Sequence, residues 1–285
     1  MGIYRGFNQA ALDREYSPSS RVGNIMPYIR RYEELSAEAR TQLYVRRALS
    51  YGPSPAESLD FFPARRVGAP IHVFIHGGYW QELGKDESSF AAPAFVEAGA
   101  AFAALDYALA PNASMDEIVR QTRAAIAWLY RNAYRLGFDP ERIHVSGHSA
   151  GGHLVGMLLA TDWKGEFGVP GDVINGAAAI SGIFDLEPIR LTYVNAPLGM
   201  DAGAARRNSP LYQPPRRAVP LILTYGENET DEFKRQTRAY RTVCSKARVP
   251  TRFVTMPRRN HFDAVLELAD PKSGLGQAVF EQMGL

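Results

Sequence analysis

One cysteine in 285 residues leaves no thiol for it to pair with inside the chain. Cys244 therefore excludes a disulfide scaffold and a thiolate metal site, and it fits a reducing compartment. It reads as a small apolar residue in the helical stretch after Thr230. Charge of one sign is also missing, since 32 Lys and Arg stand against 30 Asp and Glu, a formal net of +2. So small an excess provides no field for gripping a polyanion, which argues against nucleic acid as a partner. Long apolar runs are absent too. The most apolar stretch, Ala91 to Ala110, is broken by Pro93, Glu97 and Asp106, so no membrane span is expected. The first residues lack the charged-then-apolar order of a secretory signal, and Gly6 breaks the myristoylation pattern. The expected location is cytoplasmic, with Asn112-Ala113-Ser114 and Asn228-Glu229-Thr230 as chance sequons. With a single cysteine and no Gly-x-Gly-x-x-Gly in the chain, no metal and no cofactor are expected.

What is present is a balance of 46% hydrophobic and 22% charged residues, that of an ordinary globular protein, long enough for one sizeable domain over 1–285. From Ile71 onward short apolar runs alternate with helical periodicities: Ile71 to Ile75, Ala101 to Leu105, Arg142 to Val145, Gly176 to Ile180, Leu221 to Tyr225 and Arg252 to Met256. That alternation predicts an α/β fold with a mostly parallel sheet flanked by helices. The clearest helix is capped by Ser114, with Glu117 as the other half of a capping box. It carries Ile118, Thr122, Ile126, Leu129, Ala133 and Leu136 on one face and stops at Gly137. Phe138 to Glu141 is expected to turn the chain into the next strand. Residues 1–51 read as an N-terminal arm with a helix near Tyr32 to Leu49. Ser58 to Phe62 reads as an antiparallel edge strand, and 183–219, rich in Pro and Arg, as the place for a small cap segment. The sequence leaves a homodimer open.

Gly147-His148-Ser149-Ala150-Gly151 lies between a strand and the helical run Leu154 to Ala160. This is the nucleophile elbow of the α/β-hydrolase fold, in which a tight turn presents the serine at the carboxyl end of the sheet. Ser149 is the candidate nucleophile. Upstream, His76-Gly77-Gly78-Tyr79-Trp80 follows a strand directly and matches an oxyanion loop, where small residues let backbone N–H groups approach a carbonyl oxygen. Gly78, Tyr79 and Ala150 are the candidate donors, Tyr79 and Trp80 the candidate substrate-binding wall, and His76 a residue that fixes the loop. A serine needs a base, and the chain order of this fold is serine, acid, histidine. Of the two histidines after Ser149, His153 lies one helical turn on and reads as packed beneath the elbow, which leaves His261 as the base. The acid belongs in Gly226-Glu227-Asn228-Glu229-Thr230-Asp231. Glu229 is favoured by its place three residues after the strand-ending glycine, with Asp231 as the competing position and the better helix start.

Together these residues resemble the kynurenine formamidase (arylformamidase) branch of the α/β hydrolases. The likeness is carried by His76 to Trp80, Leu105 to Pro111, Gly147 to Leu154, Ser181 to Pro188, Glu232 to Gln236 and Asn260 to Asp263, so it covers most of the chain from Tyr16 on. The resemblance implies hydrolysis of an N-formyl aryl amide, a small-molecule acyl substrate, by Ser149, Glu229 and His261. Many relatives carry Asp where this chain has Glu229, a residue longer by a methylene that has to retract to meet the imidazole. The same loop also hosts esters and other small amides, so a broad small-acyl carboxylesterase is the alternative. A non-catalytic binding scaffold is the reading from another class.

Overall fold

The structure, a computed structural model, describes residues 2–285. One sheet of eight strands organises the chain: β1 (Arg46–Ser50), β2 (Ser58–Phe62), β3 (Ala69–Ile75), β4 (Ala101–Leu105), β5 (Phe138–His148), β6 (Gly176–Ile180), β7 (Leu221–Gly226) and β8 (Thr251–Met256). They lie in the order β1-β2-β4-β3-β5-β6-β7-β8. β1 and β2 are antiparallel to their neighbours, and every pairing from β4 to β8 is parallel. This is the α/β-hydrolase fold. Every residue of β3, β4 and β6 is buried, because helices cover both faces of the sheet and leave no polar side to alternate with.

One apolar layer joins Ile71, Val73 and Ile75 of β3 to Ile118, Ile126 and Leu129 of the Met115–Leu136 helix and to Leu154 and Leu158 of the Ala150–Leu159 helix. The opposite layer joins Phe74 and Phe102 to Phe95, Leu275 and Val279. Each fully buried aliphatic or aromatic side chain contributes about 2 kcal/mol. At the head of the long helix Ser114 Oγ accepts the Glu117 N–H at 3.3 Å, and Gly137 closes it at a φ of 86°. The capping box is only half formed, since the Glu117 carboxylate accepts from Arg120 and Gln121 instead.

Three expectations are corrected. The helix placed at Tyr32 to Leu49 spans Met26–Gln42, and Arg46–Ser50 is a strand. Because β1 pairs outside β2, Ser58–Phe62 is antiparallel but interior. The expected turn at Phe138 to Glu141 belongs to β5, whose register with β3 shifts between Phe138 and Ile143. As expected, Cys244 is buried in the Asp231–Lys246 helix, where burial pushes its thiol up to about 12. Among the described residues, no helix is long and apolar enough to cross a membrane. Residues 187–207 form three short helices, Glu187–Arg190, Asn195–Leu198 and Ala202–Arg207.

Besides His261, five histidines lie buried in this frame: His72, His76, His144, His148 and His153. Burial holds each below its ordinary value, His144 and His153 down to about 4. The unfolded chain takes up these protons near 6.5, so below that pH it binds more protons than the folded one and stability falls with pH. Their contribution is whole above about pH 6.5 and is lost as the pH drops toward 4. His144 and His153 alone account for on the order of 5 kcal/mol, because a tenfold change in proton affinity is worth about 1.36 kcal/mol. Calorimetry is expected to show the thermal midpoint falling steeply from pH 7 to pH 5 with proton uptake on unfolding; a flat midpoint would contradict this.

Candidate active site

The carboxyl ends of β3, β5, β6, β7 and β8 meet at one side of the sheet, where this fold class gathers its sites. β5 ends at His148, and Ser149 follows at φ 55° and ψ −114°, a conformation that L-residues hold only under constraint. The constraint is visible. The Ser149 N–H donates to Ile180 O at 2.8 Å, and the Ala150–Leu159 helix begins at once. A Cβ on Gly147 would lie 2.2 Å from Gly151 O, and one on Gly151 2.0 Å from Ile75 O, so both must be glycine for strand, helix and β3 to come this close.

Beyond β3 the chain enters a turn with three successive positive φ values: Gly78 at 91°, Tyr79 at 50° and Trp80 at 60°. Gly78 O accepts from the N–H groups of Gln81 and Glu82, at 2.9 and 3.0 Å, which closes the turn on its carbonyl side. Gly77 lies against the elbow, a Cβ there being 3.3 Å from Ser149 Cβ. Ala150 opens its helix, and the first N–H groups of a helix have no intrahelical partner. The three candidate donors thus flank the serine from two segments. The Tyr79 hydroxyl donates to Tyr16 O at 2.6 Å, and Gln81 Nε2 to Val194 O at 2.9 Å, so the turn is held by the N-terminal residues and by the 183–219 segment.

His261 follows β8 in a loop that Asn260 and Asp263 brace. Asn260 Oδ1 accepts from the Phe262 and Asp263 N–H groups, and the Asn260 N–H donates to Asp263 Oδ1 at 2.7 Å. The Nδ1 of His261 lies 2.9 Å from Glu229 Oε2. A carboxylate only accepts, so Nδ1 carries the proton and Nε2 is left bare as a base. The other oxygen, Glu229 Oε1, accepts from Ser181 Oγ at 2.5 Å and from the Gly226 N–H at 2.6 Å. Glu229 sits three residues past the end of β7, and the Gly226 bond draws its longer side chain back to the histidine. Asp231 is elsewhere: its side chain is 91% exposed, in the first turn of the helix that follows Thr230, and it pairs with Lys234 at 3.2 Å.

Ser149 and His261 line one cavity of about 240 Å³, together with Gly78, Tyr79 and His148. Glu229 and His261 are hydrogen-bonded, whereas Ser149 joins them by sharing this wall rather than through a bond to the ring. Catalytic hydrogen bonds are often formed only once substrate is bound.

Several residues lie apart from their expected place or carry no mark in the sequence. Trp80, read with Tyr79 as substrate wall, is fully buried outside the cavity lining and donates Nε1–H to His153 Nδ1 at 3.2 Å, because its positive φ turns the ring inward. His153 accepts that bond beneath the elbow, and its Nε2 donates to Asn208 O at 2.7 Å. His76 fixes its own loop, with Nδ1–H donating to Gly77 O at 2.9 Å and the ring stacked on Tyr107 at 4.1 Å. His148, within the elbow, donates Nε2–H to His261 O at 2.8 Å and so anchors the histidine loop to the serine strand. Burial and the neighbouring His261 keep His148 neutral. Ser181, at φ 52° directly after β6, holds Glu229; its place at the carboxyl edge of the sheet is the available signal. Pro18, Ile25, Ile29 and Tyr193 also line the cavity. Among the described residues, no three His, Cys, Asp or Glu side chains converge to hold a metal ion.

Comparison with known proteins sets the chain among α/β hydrolases. The family model described as BD-FAE matches residues 59–176. A kynurenine formamidase of Salmo salar is 31% identical over 298 residues, covering 100% of this chain and 99% of that protein. One of Danio rerio is 30% identical, with 100% and 99% coverage. A candidate thioesterase from Silicibacter, of known crystal structure, superposes with a TM-score of 0.84 at 29% identity, covering 93% of this chain and 97% of that one.

Proposed function

The chain belongs to the kynurenine formamidase family of α/β hydrolases, and from that premise we propose that it cleaves a small aryl formamide through Ser149, His261 and Glu229. The observation that carries this reading is the 2.9 Å bond from His261 Nδ1 to the Glu229 carboxylate, which leaves Nε2 free on a ring that lines the same cavity as the strained serine. His261 Nε2 takes the Ser149 hydroxyl proton as Oγ attacks the formyl carbon. The carbonyl oxygen gains charge in the transition state, and the N–H groups of Gly78, Tyr79 and Ala150 receive it. Glu229 stabilises the imidazolium that forms. The imidazolium returns its proton to the departing arylamine, and water, deprotonated by the same ring, releases formate from the acyl-enzyme. Ser181 is a positioning residue, since it keeps the Glu229 carboxylate turned toward the histidine.

A carboxylesterase would use the same groups, and the reactions separate on substrate. Formanilide is expected to yield aniline and formate in equal amounts, and Ser149→Ala to abolish their release. A protein that turns over p-nitrophenyl acetate and leaves formanilide intact would be the esterase.

A further inference from the structure

Residues 2–42 lie outside the sheet, yet they bond to each of the loops that follow β3, β7 and β8. Beyond β8, Asn260 Nδ2 donates to the Tyr28 hydroxyl at 3.0 Å and the Tyr32 hydroxyl donates to Phe262 O. Beyond β7, Thr230 Oγ1 donates to Glu15 O at 2.6 Å, one residue past the acid. Beyond β3, the Tyr79 hydroxyl donates to Tyr16 O at 2.6 Å, in the turn that carries two of the three proposed oxyanion donors. Gly78, Tyr79 and Trp80 hold positive φ there, which L side chains adopt only where their surroundings impose it. Gly78 O takes the Gln81 and Glu82 N–H groups, and Trp80 O takes that of Ala110 at 2.8 Å. Those bonds fix carbonyls; the bond to Tyr16 fixes a side chain. Cβ and the N–H of Tyr79 hang on the same N–Cα bond, one of the two soft torsions of the residue. A side chain pinned at its hydroxyl therefore resists the rotation that would swing the N–H off the oxyanion. Tyr16 is in turn fully buried, its hydroxyl donating to Glu232 Oε2 at 2.8 Å and accepting from Gln236 Nε2 at 2.9 Å. Both partners stand on the Asp231–Lys246 helix, which starts two residues after Glu229.

We infer that Tyr79 and Tyr16 are positioning residues for the oxyanion donors: the Tyr79 hydroxyl, bonded to the Tyr16 carbonyl, keeps the turn in aim, and the Tyr16 phenol keeps that carbonyl in place. The N-terminal segment is thereby part of the active site. This rests on the reading of Ser149 as nucleophile with Gly78, Tyr79 and Ala150 as donors, and it extends that reading to what holds them. Because the donors meet a charge that develops only in the transition state, a loosened turn costs turnover rather than substrate binding.

Tyr79→Phe removes one oxygen and leaves the backbone N–H. It is measured on whichever of formanilide and p-nitrophenyl acetate the protein cleaves faster, with active enzyme counted by fluorophosphonate labelling of Ser149 carried to completion. It should lower kcat by on the order of 20-fold, less than the roughly 10² to 10³ of a deleted donor, and leave KM within about twofold. The Ki of an aryl trifluoromethyl ketone, which Ser149 converts to a charged tetrahedral adduct, should rise by a similar factor. Tyr16→Phe should show the same pattern at about fivefold, as for a misplaced rather than a missing group. The double variant should be no slower than Tyr79→Phe alone, since without the hydroxyl the place of the carbonyl no longer matters. A merely structural role would move the thermal midpoint and leave kcat and Ki unchanged. Unchanged kcat and Ki in Tyr79→Phe, a loss confined to KM, or two losses that multiply would each overturn the inference while leaving Ser149 as nucleophile. Turnover that survives Ser149→Ala would overturn the nucleophile reading and the inference with it.

Discussion

Replacing Glu229 by glutamine is expected to lower kcat on an aryl ester by on the order of 10⁴, the scale seen when the acid of a serine protease triad becomes an amide. The hydrogen bonds around the carboxylate say why. Oε1 accepts from both Gly226 N–H and Ser181 Oγ. In the amide the oxygen must occupy that place, because the backbone N–H can only donate. The NH₂ group then faces His261 Nδ1, where it demands an acceptor. The ring answers by moving its proton to Nε2, the atom that should take the serine proton. Asp231→Asn should leave kcat within about twofold and cost at most about 1 kcal/mol of stability, from the helix dipole and an exposed ion pair. Measured side by side near pH 7.5, about one unit above the ordinary imidazole value, the two variants must separate in this order. Loss of turnover in Asp231→Asn with Glu229→Gln active would reverse the assignment of the acid.

Ser149→Ala and His261→Ala are each expected to lower kcat by on the order of 10⁵ to 10⁶, and the double variant to be no slower than either alone. The reason is that they act as one unit. Without the ring the hydroxyl keeps its proton, and without the hydroxyl the ring has no nucleophile to activate. What survives is catalysis by the backbone donors and by binding, which neither substitution removes. Kinetics of all three variants on one aryl ester check this; losses that multiply would mean that the two side chains work independently.

Much of this frame is legible in the sequence because its cause is local. β3, β4 and β6 are buried on both faces, so each reads as an unbroken apolar run between turns. The elbow announces itself because only glycine fits at Gly147 and Gly151, where a Cβ would strike backbone. β1 leaves no such mark: Arg46–Ser50 is a mostly exposed edge strand with neither a continuous apolar run nor clean alternation, so in sequence it merges with the polar helix before it. Trp80 departs from its expected place because sequence order puts it beside Tyr79, whereas the positive φ of both residues sends the two rings in different directions. The contributions of Ile25, Ile29 and Tyr193 to the cavity depend on two distant segments folding over the sheet edge, which no spacing encodes. Ser181 and His148 support the site through single bonds made across the fold, to Glu229 and to the carbonyl of His261.

That Ser149 is the nucleophile is tested most directly by covalent capture. A fluorophosphonate probe reacts with a serine hydroxyl that an adjacent base activates and that backbone donors face. Intact-mass and peptide mass spectrometry after brief exposure should show one adduct, on Ser149, absent from Ser149→Ala and strongly slowed in His261→Ala. Absence of an adduct under conditions that label a known serine esterase, or an adduct on any residue other than Ser149, would contradict the assignment.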